Sequence, residues 1–168
     1  VWGTRAGETD VSAMVDEWLY TDISLRQKYH RFVGMFRNLT PIFEFTSRRN
    51  KVVIDYAEPQ LTLLAIRDKD TGKYLPYQEV SNIAKAWDIP VVQDFASKNV
   101  LKYVKEWKDA EGVVVALQNG FRFKMKADAY VTKHRAKDLI RFNKDVVRLI
   151  LEGKLDDVLP LVDNTKPE

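Results

Sequence analysis

The sequence predicts an α+β domain built on antiparallel sheets, with a helical C-terminal extension. Three observations carry that expectation. Gln118-Asn119-Gly120 falls between two β-rich runs, Gly112–Leu117 and Phe121–Lys126, and Asn-Gly in that setting is the strongest short-range signal for a tight hairpin. Apolar residues recur at helical spacing before residue 40 and again after residue 127. Between those stretches lie short alternating runs bounded by turn residues, the mark of antiparallel strands.

Residues 1–5 read as the end of a strand. Glu8 to Leu39 reads as a helical region in two parts. Val11, Met14, Val15, Trp18 and Leu19 line the first, with Thr9 or Asp10 as N-cap. Leu25, Tyr29, Phe32, Val33 and Phe36 line the second, restarted at Thr21-Asp22 and ended by Pro41. Ile42–Phe45 is a short strand, Arg48-Arg49-Asn50 a turn, and Lys51–Ile54 the next strand. Leu61–Arg67 is a third strand, followed by a hairpin turn at Asp68-Lys69-Asp70-Thr71-Gly72. Helices are expected over Pro76–Trp87 and Ser97–Lys108, joined by an extended link at Ile89–Val92. After the second hairpin, Leu139, Phe142, Val146, Leu149 and Ile150 suggest a helical stripe ended by Gly153, then a short helix carrying Leu155, Val158 and Leu159. The expected division is residues 1–127 as the main domain and 128–168 as the start of a helical C-terminal region.

Composition excludes several function classes. At 168 residues the chain is one ordinary domain or a piece of a larger protein. With 45% hydrophobic and 30% charged residues it is too apolar to be disordered. Cysteine is absent, which excludes a disulfide scaffold, a thiolate zinc site and a thiol nucleophile. The 2 histidines, His30 and His134, are too few for a His-rich metal site. A net charge of +3 suits a polyanionic partner without requiring one. No leader pattern or stretch of roughly 20 apolar residues appears. The expectation is a cytoplasmic monomer, with no membrane partner. The first methionine is Met14, so the chain reads as a fragment trimmed at its N-terminus.

Five residues stand out chemically. Lys124 and Lys126, at i and i+2 of one strand, share a face, and two adjacent ammonium groups favour an anion between them. Glu111 stands at the entrance of the same hairpin. Glu44 interrupts the aromatics of Phe43-Glu44-Phe45, and Arg5 precedes Gly7 in a turn suited to anion binding. Taken singly, each also fits a solvated strand face or a surface turn. The aromatic helices from Trp18 to Phe36 read as core rather than a base-stacking platform, and Lys28, His30, Arg31 and Arg37 as a solvated helix face. His134 fits a helix start or packing.

In chain order, the RxG turn at Arg5, the FEF strand, the EGVVV run at Glu111 and the KxK strand resemble the covalent nucleotidyltransferase superfamily. Its members are ATP-dependent DNA and RNA ligases and capping enzymes. The nearer likeness is to the phage T4-type ATP-dependent RNA ligases that repair tRNA. Phe43–Phe45 followed by Asn50–Val53, Leu61–Tyr74, and Glu111–His134 (EGVVVALQNGFRFKMKADAYVTKH) resemble that family's segments almost continuously. The resemblance implies a nucleotidyltransferase fold, ATP and Mg²⁺ as cofactors, and RNA ends, tRNA or another broken strand, as partners. It implies that Lys124 and Lys126 contact nucleotide phosphates, that Glu111 supports the metal and the nucleophilic lysine, and that Glu44 contacts the ribose and assists at the metal. Arg5 would contact phosphate or ribose, and Leu64 and Val114 would flank the adenine.

One departure matters. The family's nucleophile is the lysine of a KxDG motif, and no KxDG occurs here; Lys69-Asp70-Thr71-Gly72 has the wrong spacing and lies in a hairpin turn. The expectation is therefore that the parent protein is an RNA ligase and that this chain alone does not become adenylylated. The rivals are another superfamily enzyme, a DNA ligase or capping enzyme, and a non-catalytic nucleotide- or RNA-binding module.

Overall fold

A computed structural model describes residues 2–50, 54, 56–95, 99–108, 110–117 and 120–162. The chain divides into two units, the described residues of Val1–Asn50 and Asp55–Asp94, and those of Lys51–Ile54 and Phe95–Glu168. Helices and antiparallel strands occur in both, which is the α+β class expected.

The first unit opens with a tight turn. Thr4 and Gly7 exchange two backbone hydrogen bonds, of 2.7 and 3.0 Å, and Gly7 has φ +93°. The strand expected over residues 1–5 is thus reduced to this single bridge. Helix α1 spans Asp10–Tyr20, and Thr9 is its N-cap. The Thr9 and Ser12 side chains each accept from the other's backbone N–H, satisfying two donors the first turn would leave orphaned. Helix α2, Ile23–Gly34, starts at Asp22, whose Oδ1 accepts from the Ser24 and Leu25 amides at 2.7 and 3.2 Å.

The helical region stops there rather than at Leu39. Strand β1 runs Leu39–Thr46 and pairs with β2, Gln60–Asp68. Among the described residues β1 pairs with β2 alone, and Pro41, which has no N–H to give a ladder, is tolerated on such an edge strand. Between Ile42 and Phe43 the register slips: Ile42 faces Ala65 and Phe43 faces Leu63, which makes Leu64 the extra residue of a β-bulge. The Arg48–Asn50 turn is present, held by Asn50 Nδ2 donating to the Phe45 carbonyl at 2.8 Å. Of the strand expected over 51–54, residues 51–53 lie outside the described residues.

Asp68 builds the next turn. Its Oδ1 accepts from the Asp70 and Thr71 amides and the Thr71 hydroxyl, and Gly72 takes φ +68°. Helix α3, Tyr77–Ala86, follows with Pro76 as N-cap. The extended link beyond it adds one parallel bridge to β2, Leu63 to Val91.

These elements close over one core. Val15 and Leu19 of α1, Tyr29 and Phe32 of α2, Leu61, Leu63 and Ile66 of β2, and Val80 and Ala84 of α3 are buried together. Aromatic edges knit it: Tyr29 meets Trp2, Trp18 and Phe43 at centroid distances of 6.4, 5.9 and 5.9 Å. The aromatic stripe of α2 is therefore core, as its spacing implied. The Tyr29 hydroxyl is satisfied inside that core by donating to the Leu61 carbonyl at 3.0 Å.

In the second unit the helix expected over Ser97–Lys108 is shorter, α4 at Val100–Tyr103 followed by a 3₁₀ turn at Val104–Glu106. Strand β3, Gly112–Ala116, pairs antiparallel with β4, Arg122–Lys126, with Ala116 opposite Arg122 and the Leu117 N–H donating to the Phe121 carbonyl at 2.9 Å. The hairpin thus forms where Asn-Gly placed it, but one residue off the register of a two-residue turn, which would set Gln118 opposite Phe121. Helices α5, Asp128–Leu139, α6, Asn143–Leu151, and α7, Leu155–Val158, complete the unit. The apolar stripe expected from Leu139 to Ile150 is not one helix face. The chain breaks at Ile140, Phe142 caps α6, and only Leu149 of the five is buried, with Ala136 and Val158. Among the described residues no helix is long and apolar enough to cross a membrane.

Candidate active site

The site residues of the second unit converge. In the β3–β4 pair Gly112 faces Lys126 and Val114 faces Lys124, so Val114 shares the lysines' face, while Val113 faces Met125 and Val115 faces Phe123. Glu111 lies one residue before β3. Its backbone carbonyl accepts from Ala127 N–H at 2.8 Å, which extends the ladder by one pair and fixes the glutamate beside Lys126.

The convergence depends on glycine. Gly112 has φ +146°, and a Cβ there would lie 2.1 Å from the Met125 carbonyl oxygen and 2.7 Å from Lys126 Cα. Only glycine permits so close an approach of backbone to backbone in that conformation.

The consequence is an unusual charge arrangement. Lys124 Nζ and Lys126 Nζ both lie 3.1 Å from the same oxygen, Glu111 Oε1. The ammonium groups are then at most twice that distance apart. At that limit their repulsion is about half of either attraction, so two attractions outweigh it. The anion expected between the lysines is a protein carboxylate here. Burial pushes the Glu111 carboxyl up, but hydrogen bonds and charge from Lys124 and Lys126 outweigh it and hold the group below the ordinary glutamate value.

The surroundings hold Lys126 more tightly than Lys124. Lys126 Nζ stands 4.9 Å over the ring of Tyr130, a buried residue of α5, whereas the Lys124 side chain is 62% exposed. Tyr130 in turn meets His134 at 6.0 Å, and His134 Nδ1 lies 3.1 Å from Asp138 Oδ2. Of the two roles expected for His134, packing holds, against Tyr130, and helix start does not, since it lies mid-helix in α5. Two features escaped the sequence reading. Arg122 continues the Lys124 and Lys126 face at i−2, a spacing visible in the sequence, and Tyr130 packs under Lys126, one helical turn beyond the strand.

The first unit holds the other three. Arg5 is exposed at the Thr4–Gly7 turn, three residues after Trp2, whose ring meets Phe43 at 5.7 Å. Glu44, next to Phe43, is exposed on β1 opposite Thr62. Leu64, the bulge residue, is half-buried two places beyond Thr62.

A magnesium ion suits this donor set in one way only. Among the described residues no group of three or more His, Cys, Asp or Glu side chains could hold a metal. Glu111 offers a carboxylate oxygen, and Mg²⁺ is commonly held by one or two carboxylates with phosphate oxygens and water completing the shell. The residues therefore fit an ion that arrives with a phosphate, and Glu111 would be its protein ligand.

In this α+β protein the hairpin turns two ammonium groups onto one carboxylate oxygen beside a sterically required glycine. The family model of the T4-type RNA ligases matches residues 2–130, and the chain belongs to that RNA ligase family. It is 30% identical over 135 residues to a protein of Autographa californica nuclear polyhedrosis virus named "Putative bifunctional polynucleotide kinase/RNA ligase", covering 76% of this chain and 18% of that protein. It is 28% identical over 137 residues to a Thermovibrio ammonificans protein named "Putative RNA ligase", covering 76% of this chain and 36% of that protein. The chain thus spans about a fifth and about a third of the curated relatives it matches.

Proposed function

We propose that this chain is the nucleotide-handling part of an ATP-dependent RNA ligase that repairs broken RNA. The observation that carries the reading is the convergence of Lys124 and Lys126 on one anionic oxygen, in a chain of the RNA ligase family. Lys124 and Lys126 grip the nucleotide phosphates, Glu111 ligates Mg²⁺, and Val114, on their face, meets the adenine. The resemblance in sequence gives Arg5 a phosphate or ribose contact, Glu44 the ribose, and Leu64 the adenine. Residues 1–127 belong to the adenylation domain, of nucleotidyltransferase fold, and residues 128–168 begin the helical C-terminal region.

The reaction has three displacements at phosphorus. A lysine amine outside these 168 residues attacks the α-phosphate of ATP, forming a phosphoramidate and releasing pyrophosphate. The AMP passes to the 5′-phosphate of an RNA end and frees the lysine. The 3′-hydroxyl of the other end then attacks that 5′-phosphate and expels AMP. Each step needs alignment and neutralisation of phosphate charge, which is what two fixed ammonium groups supply. Bound Mg²⁺ would add further charge neutralisation at phosphate oxygens.

The test is incubation of the protein in its full reading frame with α-labelled ATP and Mg²⁺, followed by a denaturing gel. A covalent AMP band, labile to acid and stable to base, is expected, with joining of RNA rather than DNA ends. Absence of a band would refute lysine adenylylation and favour a nucleotide-binding module, the reading suggested by the missing KxDG.

A further inference from the structure

We infer that Glu111 is a resident anion which a nucleotide phosphate must displace from Lys124 and Lys126, so that phosphate binding and divalent-metal binding are coupled through this one side chain. The inference rests on the nucleotide reading above and adds its regulation.

The geometry has three parts. First, both lysines meet the same carboxylate oxygen, so Glu111 stands where a phosphate oxygen bridging them would stand. A phosphate and the carboxylate therefore compete for one pair of cations. Second, the backbone of Glu111 cannot retreat. Gly112 is packed against Met125 and Lys126, and the Glu111 carbonyl is bonded to Ala127 N–H at 2.8 Å, so only the side chain can swing away. Third, Lys126 keeps the Tyr130 ring at 4.9 Å when Glu111 leaves, so one cation of the pair stays fixed while exposed Lys124 turns to the ligand.

Displacement leaves a half-buried carboxylate without its two cations, which is costly. Glu111 then becomes the available ligand for a divalent cation, and ligating one recovers that cost. Without metal, the carboxylate opposes phosphate binding; with metal, it favours it.

The test is calorimetric titration of AMP, a monophosphate, into the full chain with Mg²⁺ or with a chelator. For the wild type, Mg²⁺ should tighten AMP binding. Glu111→Gln should bind AMP about fivefold more tightly than wild type in chelator, the amount a partly exposed ion pair near 1 kcal/mol withholds, and gain nothing from Mg²⁺. Glu111→Asp, one methylene shorter, should also bind more tightly in chelator yet keep a response to Mg²⁺, which guards against a folding defect in the first variant. Asp128→Asn removes a negative charge two residues beyond Lys126 and should change neither quantity. The inference is overturned if Glu111→Gln binds AMP no better than wild type in chelator, if it keeps the full Mg²⁺ response, or if Asp128→Asn tightens binding equally. If AMP binds none of the proteins in either buffer, the nucleotide reading falls and the inference with it.

Discussion

Gly112 lies directly across the hairpin from Lys126, closely enough that a single added methyl carbon would reach 2.7 Å from the lysine's Cα. The Glu111–Lys126 pairing is therefore a product of backbone proximity. Gly112→Ala combines a strained φ with a backbone clash and should destabilise the second unit by about 3 kcal/mol or more. Chemical denaturation would check this; a loss under about 1 kcal/mol would mean that the strands separate at little cost.

The lysines themselves are the next test. In the full-length enzyme Lys124→Ala or Lys126→Ala should lower ligation about 100-fold, comparable to removing one transition-state donor elsewhere, with the unfolding midpoint little changed. Unaltered ligation in either variant would remove that lysine from the phosphate site.

Leu64→Asp would place a carboxylate at the bulge of β2. If Leu64 covers the adenine, ATP affinity should fall about tenfold, because desolvating the charge against the base costs more than a kilocalorie per mole. Undiminished affinity, measured by equilibrium binding, would move the adenine elsewhere.

Tyr29 makes the alkaline limb of stability predictable. Burial, with a smaller contribution from the Asp88 charge, pushes its hydroxyl from 10.0 up to about 12. A proton held more tightly in the folded state stabilises it below pH 10, and that stability is lost as pH rises through about 12. Wild type should therefore forfeit about 2–3 kcal/mol over that window. Tyr29→Phe should start about 1–2 kcal/mol less stable, because the Leu61 carbonyl loses its donor, and should lack this decline. Parallel alkaline curves for the two proteins would contradict the assignment.

Local signals read well wherever a short stretch of chain decides the outcome. Thr9 and Asp22 cap the helices expected of them, and Asp68 with Gly72 makes the expected turn, because caps and turns are settled by hydrogen bonds within four residues. The Lys124 and Lys126 face followed from strand periodicity alone. Errors arise where tertiary pairing overrides a local pattern. Leu39 to Pro41 looked like a helix end and is strand because β2 supplies its partners. The Leu139–Ile150 stripe looked continuous, yet the break at Ile140 separates two short helices. The bulge at Leu64 and the shared oxygen of Glu111 depend on register and side-chain reach, which spacing along one strand does not encode.

The four tryptophans are divided three to one. Trp2, Trp18 and Trp87 pack against the core of the first unit, while Trp107, 5.4 Å from Phe95, belongs to the second. A variant with the first three replaced by phenylalanine would leave one emitter, and its fluorescence would follow the second unit alone. Read beside the wild-type signal, dominated by the other three, that emission distinguishes optically whether the two units melt in one transition or in two.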